Sequence, residues 1–261
     1  MIGSSISAVG GRWLAPTAII AAFLVVWEAA VRLTATPIWL LPPPSAVALT
    51  LVRERDLLLA NARVTLVEVL VGFALALVAG VALAIALDAS PALHRALYPL
   101  VIGSQTIPIP AIAPLLLIWF GYGLLPKVLV TALVGFFPIV VNMADGLRAA
   151  DRETDQLLRS LGASRWTRFR LLRFPSALPA LFSGAKIAVA ICVIGAVFGE
   201  LVGAKAGLGY LLTRAIAQFQ TERVIAAIVL LSLIATLLFA AIALLERLAM
   251  PWRRFQTAAA Q

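Results

Sequence analysis

Six long hydrophobic segments alternate with short polar stretches along the chain. They run over Trp13 to Val31, Val64 to Leu87, Leu97 to Phe120, Pro126 to Met143, Ser183 to Val202 and Val224 to Leu248. Each is close to the roughly 20 residues that a helix needs to cross a hydrocarbon core, and a backbone in lipid must satisfy its hydrogen bonds internally. The ten-residue alternating segments of a membrane β-barrel are absent from the sequence. The pattern predicts an all-α, polytopic membrane protein with about six transmembrane helices.

Two of these segments depart from a plain apolar helix. The first follows Arg12, as a signal peptide would, but its apolar run is too long and no clear cleavage site follows. We therefore expect a retained helix, with Glu28 as an acid inside it. The third segment contains four prolines, which remove backbone hydrogen bonds and predict a bent helix with freed carbonyls. These are Pro99, Pro108, Pro110 and Pro114.

Composition narrows the class of protein further. Hydrophobic residues make up 62% of the 261 residues and charged residues 13%, whereas about 25% of a soluble domain is charged. Six spans leave no room for a large extramembrane domain, so one transmembrane domain over residues 1–261 is predicted. The net charge of +9 includes seven arginines between Arg148 and Arg173. Because positive loops stay inside, this loop and both termini are expected in the cytoplasm, and no nucleic-acid partner is predicted.

The sequence contains little that could carry catalysis. One His and one Cys exclude a Cys/His metal cluster and a disulfide within the chain, so no catalytic and no metal-binding residue is predicted. The stretch from Gly199 to Lys205 imitates the start of a P-loop, but it lacks the glycine before the lysine and the Ser or Thr after it. His94 is expected to be solvated in a short loop. Energy for any transport must therefore come from a partner.

Polar residues inside the apolar segments are candidates for a solute pathway, because they are costly in lipid. Ser104, Gln105 and Thr106 lie just before a proline of the third segment, where an opened backbone suits a water-lined path. The alternative is that they bind neighbouring helices together. Glu200 and Glu68 lie near the outer ends of their segments, and a pore role and simple exposure at the interface both remain open.

The loop between the fourth and fifth segments, residues 145–178, has its own local structure. Gly162 is placed to end one helix in the left-handed conformation. Ser164 can cap a second helix, which Pro175 is expected to help end. The loop is therefore predicted to form two short helices that meet at a glycine outside the membrane.

Apolar side chains on this loop have two interpretations. Leu157, Leu158 and Leu161 share one helical face, and Trp166 and Phe169 follow them. Ringed by charges, they suit a groove on a soluble partner. Alternatively, the loop packs on its own helices and its arginines only fix the topology.

The same loop resembles the cytoplasmic signature of binding-protein-dependent ABC importer permeases. That signature is Glu-Ala-Ala, three residues, Gly, nine residues and Ile-x-Leu-Pro. Here Gly162 takes the glycine position, Leu172, Phe174 and Pro175 take the closing positions, and Leu161 to Trp166 is typical of the family. Gln156-Leu157-Leu158 replaces the opening Glu-Ala-Ala, which keeps an apolar helix but removes the usual glutamate.

The resemblance implies the type I ABC importer permease fold, with this loop as the coupling helix in a cleft of an ATPase subunit. It implies an inner-membrane protein that works by alternating access with a second permease, as a homodimer, and with an external substrate-binding protein. ATP and Mg would be bound by the ATPase, and no cofactor by this chain. The contacts with the ATPase would then be Gln156, Leu157, Leu158, Leu161, Gly162 and Ser164.

The resemblance extends over nearly the whole chain, including Leu41 to Ser45, and is strongest to the nitrate, sulfonate and taurine branch. Phe182 to Ile187 and Val193 to Glu200 are most similar to permeases for thiamine-precursor pyrimidines, with riboflavin permeases next. Sulfonate, taurine or nitrate is the alternative cargo. A self-sufficient secondary transporter would need acids near the midplane and two comparable halves, and the sequence offers neither.

Overall fold

The computed structural model describes residues 7–251, with side chains from residue 15 onward, and these residues form helices without a strand. The helices are α1 (Ser7–Leu33), α2 (Pro44–Arg53), α3 (Arg55–Ala89), α4 (Pro91–Ser104), α5 (Ile109–Phe120), α6 (Leu124–Arg148), α7 (Arg152–Ser160), α8 (Arg165–Arg168), α9 (Phe174–Leu201), α10 (Leu208–Ala217) and α11 (Thr221–Ala249). A π-helical turn over Phe169–Arg173 joins α8 to α9. The all-α prediction is confirmed.

The predicted spans correspond to the long apolar helices. Five helical stretches are long and apolar enough to cross a membrane, namely Ala15–Leu33, Arg55–Ala89, Leu124–Arg148, Arg165–Leu201 and Thr221–Ala249. The proline-rich third segment forms α4 and α5, which meet at a bend of 99° and bring the number of spans to six if they count as one. This is the bend that the prolines predicted. α3 starts well before the expected Val64, because Arg55 to Arg63 continue the helix.

Contacts group the chain into two compact units. The first contains residues up to 59 and residues 211–229, and the second contains residues 60–210 and 230 onward. In the first unit, Glu28 bonds the start of α2, where its carboxylate accepts from the Ser45 backbone N–H at 3.0 Å and from the Ser45 hydroxyl at 2.8 Å. Arg32 donates to the same carboxylate at 2.7 Å. Glu28 is thus the anionic partner of a helix N-terminus, a favourable place for a negative charge.

The core of the second unit is built on α6 and α9. Small residues let the two backbones approach closely, as in many membrane helix pairs. A methyl group added at Gly184 would lie 2.6 Å from the Pro138 carbonyl oxygen, and one added at Gly135 would lie 2.5 Å from Cys192 Sγ. Ile139 is fully buried in the same core. At Gly184 the obstacle is backbone, so a larger residue does not fit without moving a helix, whereas at Gly135 the Cys192 side chain would have to shift.

His94 differs from its sequence expectation. It is 9% exposed and lies at the start of α4 rather than in a solvated loop. Its ring stacks on Tyr98, four residues later, with the centroids 4.5 Å apart. Residues one helical turn apart share a face, so the aromatic partner shields the imidazole.

Candidate functional site

The loop between α6 and α9 folds through its own side-chain caps. Asp151 begins α7 and accepts from the Thr154 backbone N–H at 2.9 Å and from the Thr154 hydroxyl. These hydrogen bonds lower the pKa of Asp151, and the bond from the Thr154 hydroxyl has the larger effect. Acids in the first turn and Arg159 in the last turn complement the helix dipole. α7 is therefore a short, locally determined helix.

Gly162 ends α7 in the left-handed conformation, as predicted, with a φ of 79°. The Ala163 N–H bonds the Leu158 carbonyl at 2.9 Å, and the Gly162 N–H bonds the Arg159 carbonyl at 3.0 Å. This pair of bonds is the Schellman motif, which satisfies the last helical carbonyls. Nothing lies within 4 Å of a methyl group added at Gly162. Backbone conformation, and not space, is thus what favours glycine here.

Ser164 begins the second helix, as expected. Its hydroxyl accepts from the Thr167 N–H at 3.1 Å and contacts the Thr167 hydroxyl at 2.8 Å. The expectation that Pro175 helps to end this helix is wrong, because α8 continues through the π-helical turn into α9. A π turn relieves the clash that a proline ring makes with the preceding turn, so Pro175 sits at the start of α9 without breaking it.

Two ion pairs fix the loop. Arg168 reaches both oxygens of Asp155, at 3.1 and 2.8 Å, and so joins α8 to α7. Arg173 bonds Asp88 near the end of α3 at 2.7 Å. These pairs border a cavity of about 590 Å³ whose apolar wall includes Trp166. The Arg168–Asp155 pair thereby holds the loop together, and the Arg173–Asp88 pair connects it to α3.

The predicted contact residues lie mostly at the surface of this loop. Leu157 is 59% exposed and Leu161 is 74% exposed, while Leu158 is half-buried. Gln156, Gly162 and Ser164 are also exposed. We call these six residues the loop knob. Complete burial of one leucine side chain contributes about 1.5–3 kcal/mol of free energy. Because Leu157 and Leu161 are exposed, this free energy is still to be gained when another protein covers the loop knob.

The two aromatic residues after the loop knob behave differently from each other. Trp166 is 68% exposed and stacks on Phe169 with a centroid distance of 5.6 Å. Phe169 is half-buried and packs against the core cluster that contains Met143 and Leu147. Only Trp166 therefore extends the exposed apolar surface.

The candidate pathway residues of the third segment lie at the 99° bend. Ser104 is the last residue of α4, and its hydroxyl donates to the Val101 carbonyl at 2.7 Å. The Thr106 hydroxyl donates to the Gly103 carbonyl at 2.8 Å. Both residues are exposed, as is Gln105 between them. The bend thus presents three polar side chains on irregular backbone.

Glu200 has a different environment from these three residues. It is 1% exposed and its two carboxylate oxygens each accept a hydrogen bond. Oε1 accepts from the Thr65 hydroxyl at 2.6 Å, and Oε2 accepts from the Gly209 N–H at 2.5 Å. In this structure Glu200 therefore holds protein groups and does not line an open surface.

Further polar groups complete this buried cluster. The Thr65 hydroxyl accepts from the Leu208 N–H, and Asn61 Oδ1 accepts from the Gly207 N–H, both at 2.8 Å. Glu68, 1% exposed, pairs with Lys127 at 2.7 Å. The sequence points to the two glutamates as costly polar groups, but it does not point to Thr65, Asn61 and Lys127 as their partners. A lysine in an apolar segment needs an acidic partner, which was the available signal for Lys127.

No group of three or more His, Cys, Asp or Glu side chains that could hold a metal ion is found within residues 7–251. Cys192 is buried and makes no disulfide. The candidate site has three parts, which are the surface loop between α6 and α9, the polar bend between α4 and α5, and the buried hydrogen-bonded cluster around Glu200.

The chain is similar to one protein family and to several transport permeases. The family described as binding-protein-dependent transport system inner membrane component matches residues 72–250. The formylaminopyrimidine transport permease protein ThiX of Halalkalibacterium halodurans is 41% identical over 244 residues, which cover 93% of this chain and 97% of that protein. The riboflavin transport system permease protein RibX of Chloroflexus aurantiacus is 39% identical over 88% of this chain and 86% of its own length.

A solved structure has the same fold. An inward-facing structure of the MetNI methionine ABC transporter aligns with a TM-score of 0.67 and 21% identity, covering 75% of this chain and 97% of the matched one. The similarity confirms the predicted type I importer permease fold.

Proposed function

The chain belongs to the family of binding-protein-dependent transport system inner membrane components, and on that premise we propose that it imports a thiamine-precursor pyrimidine or a riboflavin-like molecule. It is a multi-pass, non-catalytic permease subunit of an ABC importer. Such a subunit works with an ATPase, which binds the nucleotide, and with a second permease. The cargo proposal is supported by the pyrimidine permease ThiX and the riboflavin permease RibX, which align over most of their length. Sulfonate, taurine and nitrate are the alternative cargoes.

Residues 1–261 act as one permease domain, with residues 145–178 as its cytoplasmic coupling loop. This orientation places both termini in the cytoplasm and is supported by the arginines between Arg148 and Arg173. The second permease is another copy of this chain, and an external binding protein delivers the cargo to the opposite face.

The loop knob is the surface on which the ATPase docks. The observation that carries this proposal is the exposure of Leu157 and Leu161 on a loop fixed by its own caps and ion pairs. Because the loop is already ordered, docking costs little conformational entropy, and most of the gain from burial is retained. The ATPase therefore meets a preformed apolar surface.

The chain transmits motion and performs no covalent chemistry. When the ATPase subunits close on ATP, they move the coupling loops, and the loops are continuous with α9 through the π-helical turn. The permease then alternates between inward-facing and outward-facing states, and the cargo enters the pore from the binding protein. Ser104, Gln105 and Thr106 line its path at the bend, with Glu200 supporting the path from within the protein.

Docking is tested with matched leucine variants. Leu157→Ala and Leu161→Ala, each purified with the ATPase, should weaken the complex by about tenfold, which corresponds to about 1.4 kcal/mol. Leu237→Ala is the control, because Leu237 on α11 is as exposed as Leu157, 59% in both cases. Equal affinities for all three variants and the unsubstituted chain would show that the loop knob is not the docking surface.

Cargo is tested by competition. With the ATPase and binding protein present, uptake of a labelled formylaminopyrimidine into proteoliposomes is measured against excess unlabelled riboflavin, taurine and nitrate. The proposal expects uptake that taurine and nitrate leave unchanged. Pyrimidine uptake that taurine or nitrate abolishes contradicts it, and so does an absence of uptake of both labelled formylaminopyrimidine and labelled riboflavin.

A further inference from the structure

The Glu200 cluster lies at the far end of a helical path that starts in the coupling loop. Residues Arg165–Leu201 form one helical stretch of 37 residues, about 55 Å long at 1.5 Å per residue. This exceeds the hydrocarbon thickness of about 30 Å. A stretch of this length is sufficient to place the loop and Glu200 at opposite faces of the membrane.

α9 is fixed against α6 over much of this length. Besides Gly184 and Gly135, a methyl group added at Gly195 would lie 3.0 Å from Val134, and one added at Gly199 would lie 3.1 Å from the Lys127 backbone. Interiors packed this closely transmit a displacement and do not absorb it. A movement imposed at the loop end is thus carried to the end with Glu200.

At that end, Glu200 holds the segment that leads into α10. Its Oε2 accepts from the Gly209 N–H, and a methyl group added at Gly209 would lie 2.9 Å from the same oxygen. Gly207 has a φ of 119°, and a methyl group there would collide with the Glu200 carboxyl. The carboxylate is therefore packed directly against glycine backbone.

Thr65 and Asn61 of α3 hold the same segment from the other side. They accept the N–H groups of Leu208 and Gly207, and the Thr65 hydroxyl also donates to Glu200. Three successive N–H groups at the start of α10 are thereby bonded to side chains. An apolar contact would let the segment slide, whereas these bonds fix its position and direction.

We propose that Glu200 is a positioning residue for transport, which ties the start of α10 to α9 so that movement of the coupling loop also moves α10. This inference rests on the proposed function, because it needs the ATPase to act on the loop. It assigns Glu200 a mechanical role in place of direct contact with the cargo.

Uptake per ATP hydrolysed, in proteoliposomes with the ATPase and binding protein, tests the proposal. Glu200→Ala should lower this ratio by about tenfold, within the 5–150-fold range of typical coupling between sites. Glu200→Gln should lower the ratio less, because the amide oxygen still accepts from the Gly209 N–H. Thr65→Val removes the hydroxyl that bonds Glu200 and the Leu208 N–H, and it should also lower the ratio. Asp56→Asn is the charge-matched control, since the Asp56 side chain is 92% exposed, and should leave the ratio unchanged.

A distance measurement separates coupling from simple loss of structure. Spin labels are placed at Ile194→Cys on α9, which is 54% exposed, and at Lys205→Cys in the exposed segment that leads into α10, in a Cys192→Ala background diluted with unlabelled subunits. With Glu200 present, the distance should stay narrow and constant with and without ATP. With Glu200→Ala it should broaden and change with ATP.

The outcomes are distinguishable. Normal coupling in the Glu200→Ala and Thr65→Val variants, or one unchanged distance in all chains, overturns the positioning role and leaves the proposed function standing. Absence of ATP-driven uptake in the unsubstituted chain contradicts the proposed function, and the positioning role falls with it.

Discussion

Replacing Gly162 with valine tests the loop at its most constrained backbone position. A φ of 79° is natural for glycine, but a side chain there costs about 1–2 kcal/mol, and a β-branched one is the least tolerated. Because a methyl group at Gly162 meets nothing within 4 Å, no steric clash adds to this cost. The loop knob should therefore be populated roughly 5- to 30-fold less in its docking geometry, the factor that one or two kcal/mol gives.

The assay is uptake per ATP hydrolysed in proteoliposomes that contain the ATPase and binding protein. Gly162→Asn is the control, because asparagine tolerates the left-handed conformation, and it should stay close to the unsubstituted chain. Gly162→Ala should fall between the two variants. Normal uptake by Gly162→Val, or an equal loss in the valine and asparagine variants, would refute the backbone argument.

Two further variants test the polar bend and the buried ion pair. Changing Gln105 and Thr106 together to leucine should lower uptake while the ATPase still co-purifies, since both residues are exposed at the bend; unchanged uptake removes them from the pathway. Lys127→Met should lower the melting temperature of the purified protein strongly, because an uncompensated buried Glu68 costs about 3–5 kcal/mol. Adding Glu68→Gln should restore most of the loss, and equal melting temperatures for all forms would contradict the pairing.

The features that the sequence predicted well are those set by neighbouring residues. Gly162 and Ser164 act within one helical turn, and their roles follow from backbone conformation and capping chemistry. The exception is Pro175, where a proline normally marks a helix boundary but a π turn carries the helix onward. At the start of α2 the cap residue is Pro43, and Glu28 of α1 supplies the oxygen that accepts from the Ser45 backbone N–H, a pairing between helices that no local pattern predicts.

Partners far apart in the chain were not predictable in the same way. Thr65 and Glu200 are 135 residues apart, and no local pattern states which face of α3 meets α9. The sequence marked Glu200 and Glu68 only as costly groups in apolar segments. Their burial, the pairing of Glu68 with Lys127 and the bonds to the segment before α10 depend on helix packing.

The most direct measurement of the central claim is uptake by the purified permease with and without its ATPase. Proteoliposomes that contain the permease, the ATPase and the binding protein should accumulate cargo when ATP is supplied, and should stop when the ATPase is omitted. Accumulation by the permease alone would contradict the account, since the coupling loop would then have no motor to receive motion from.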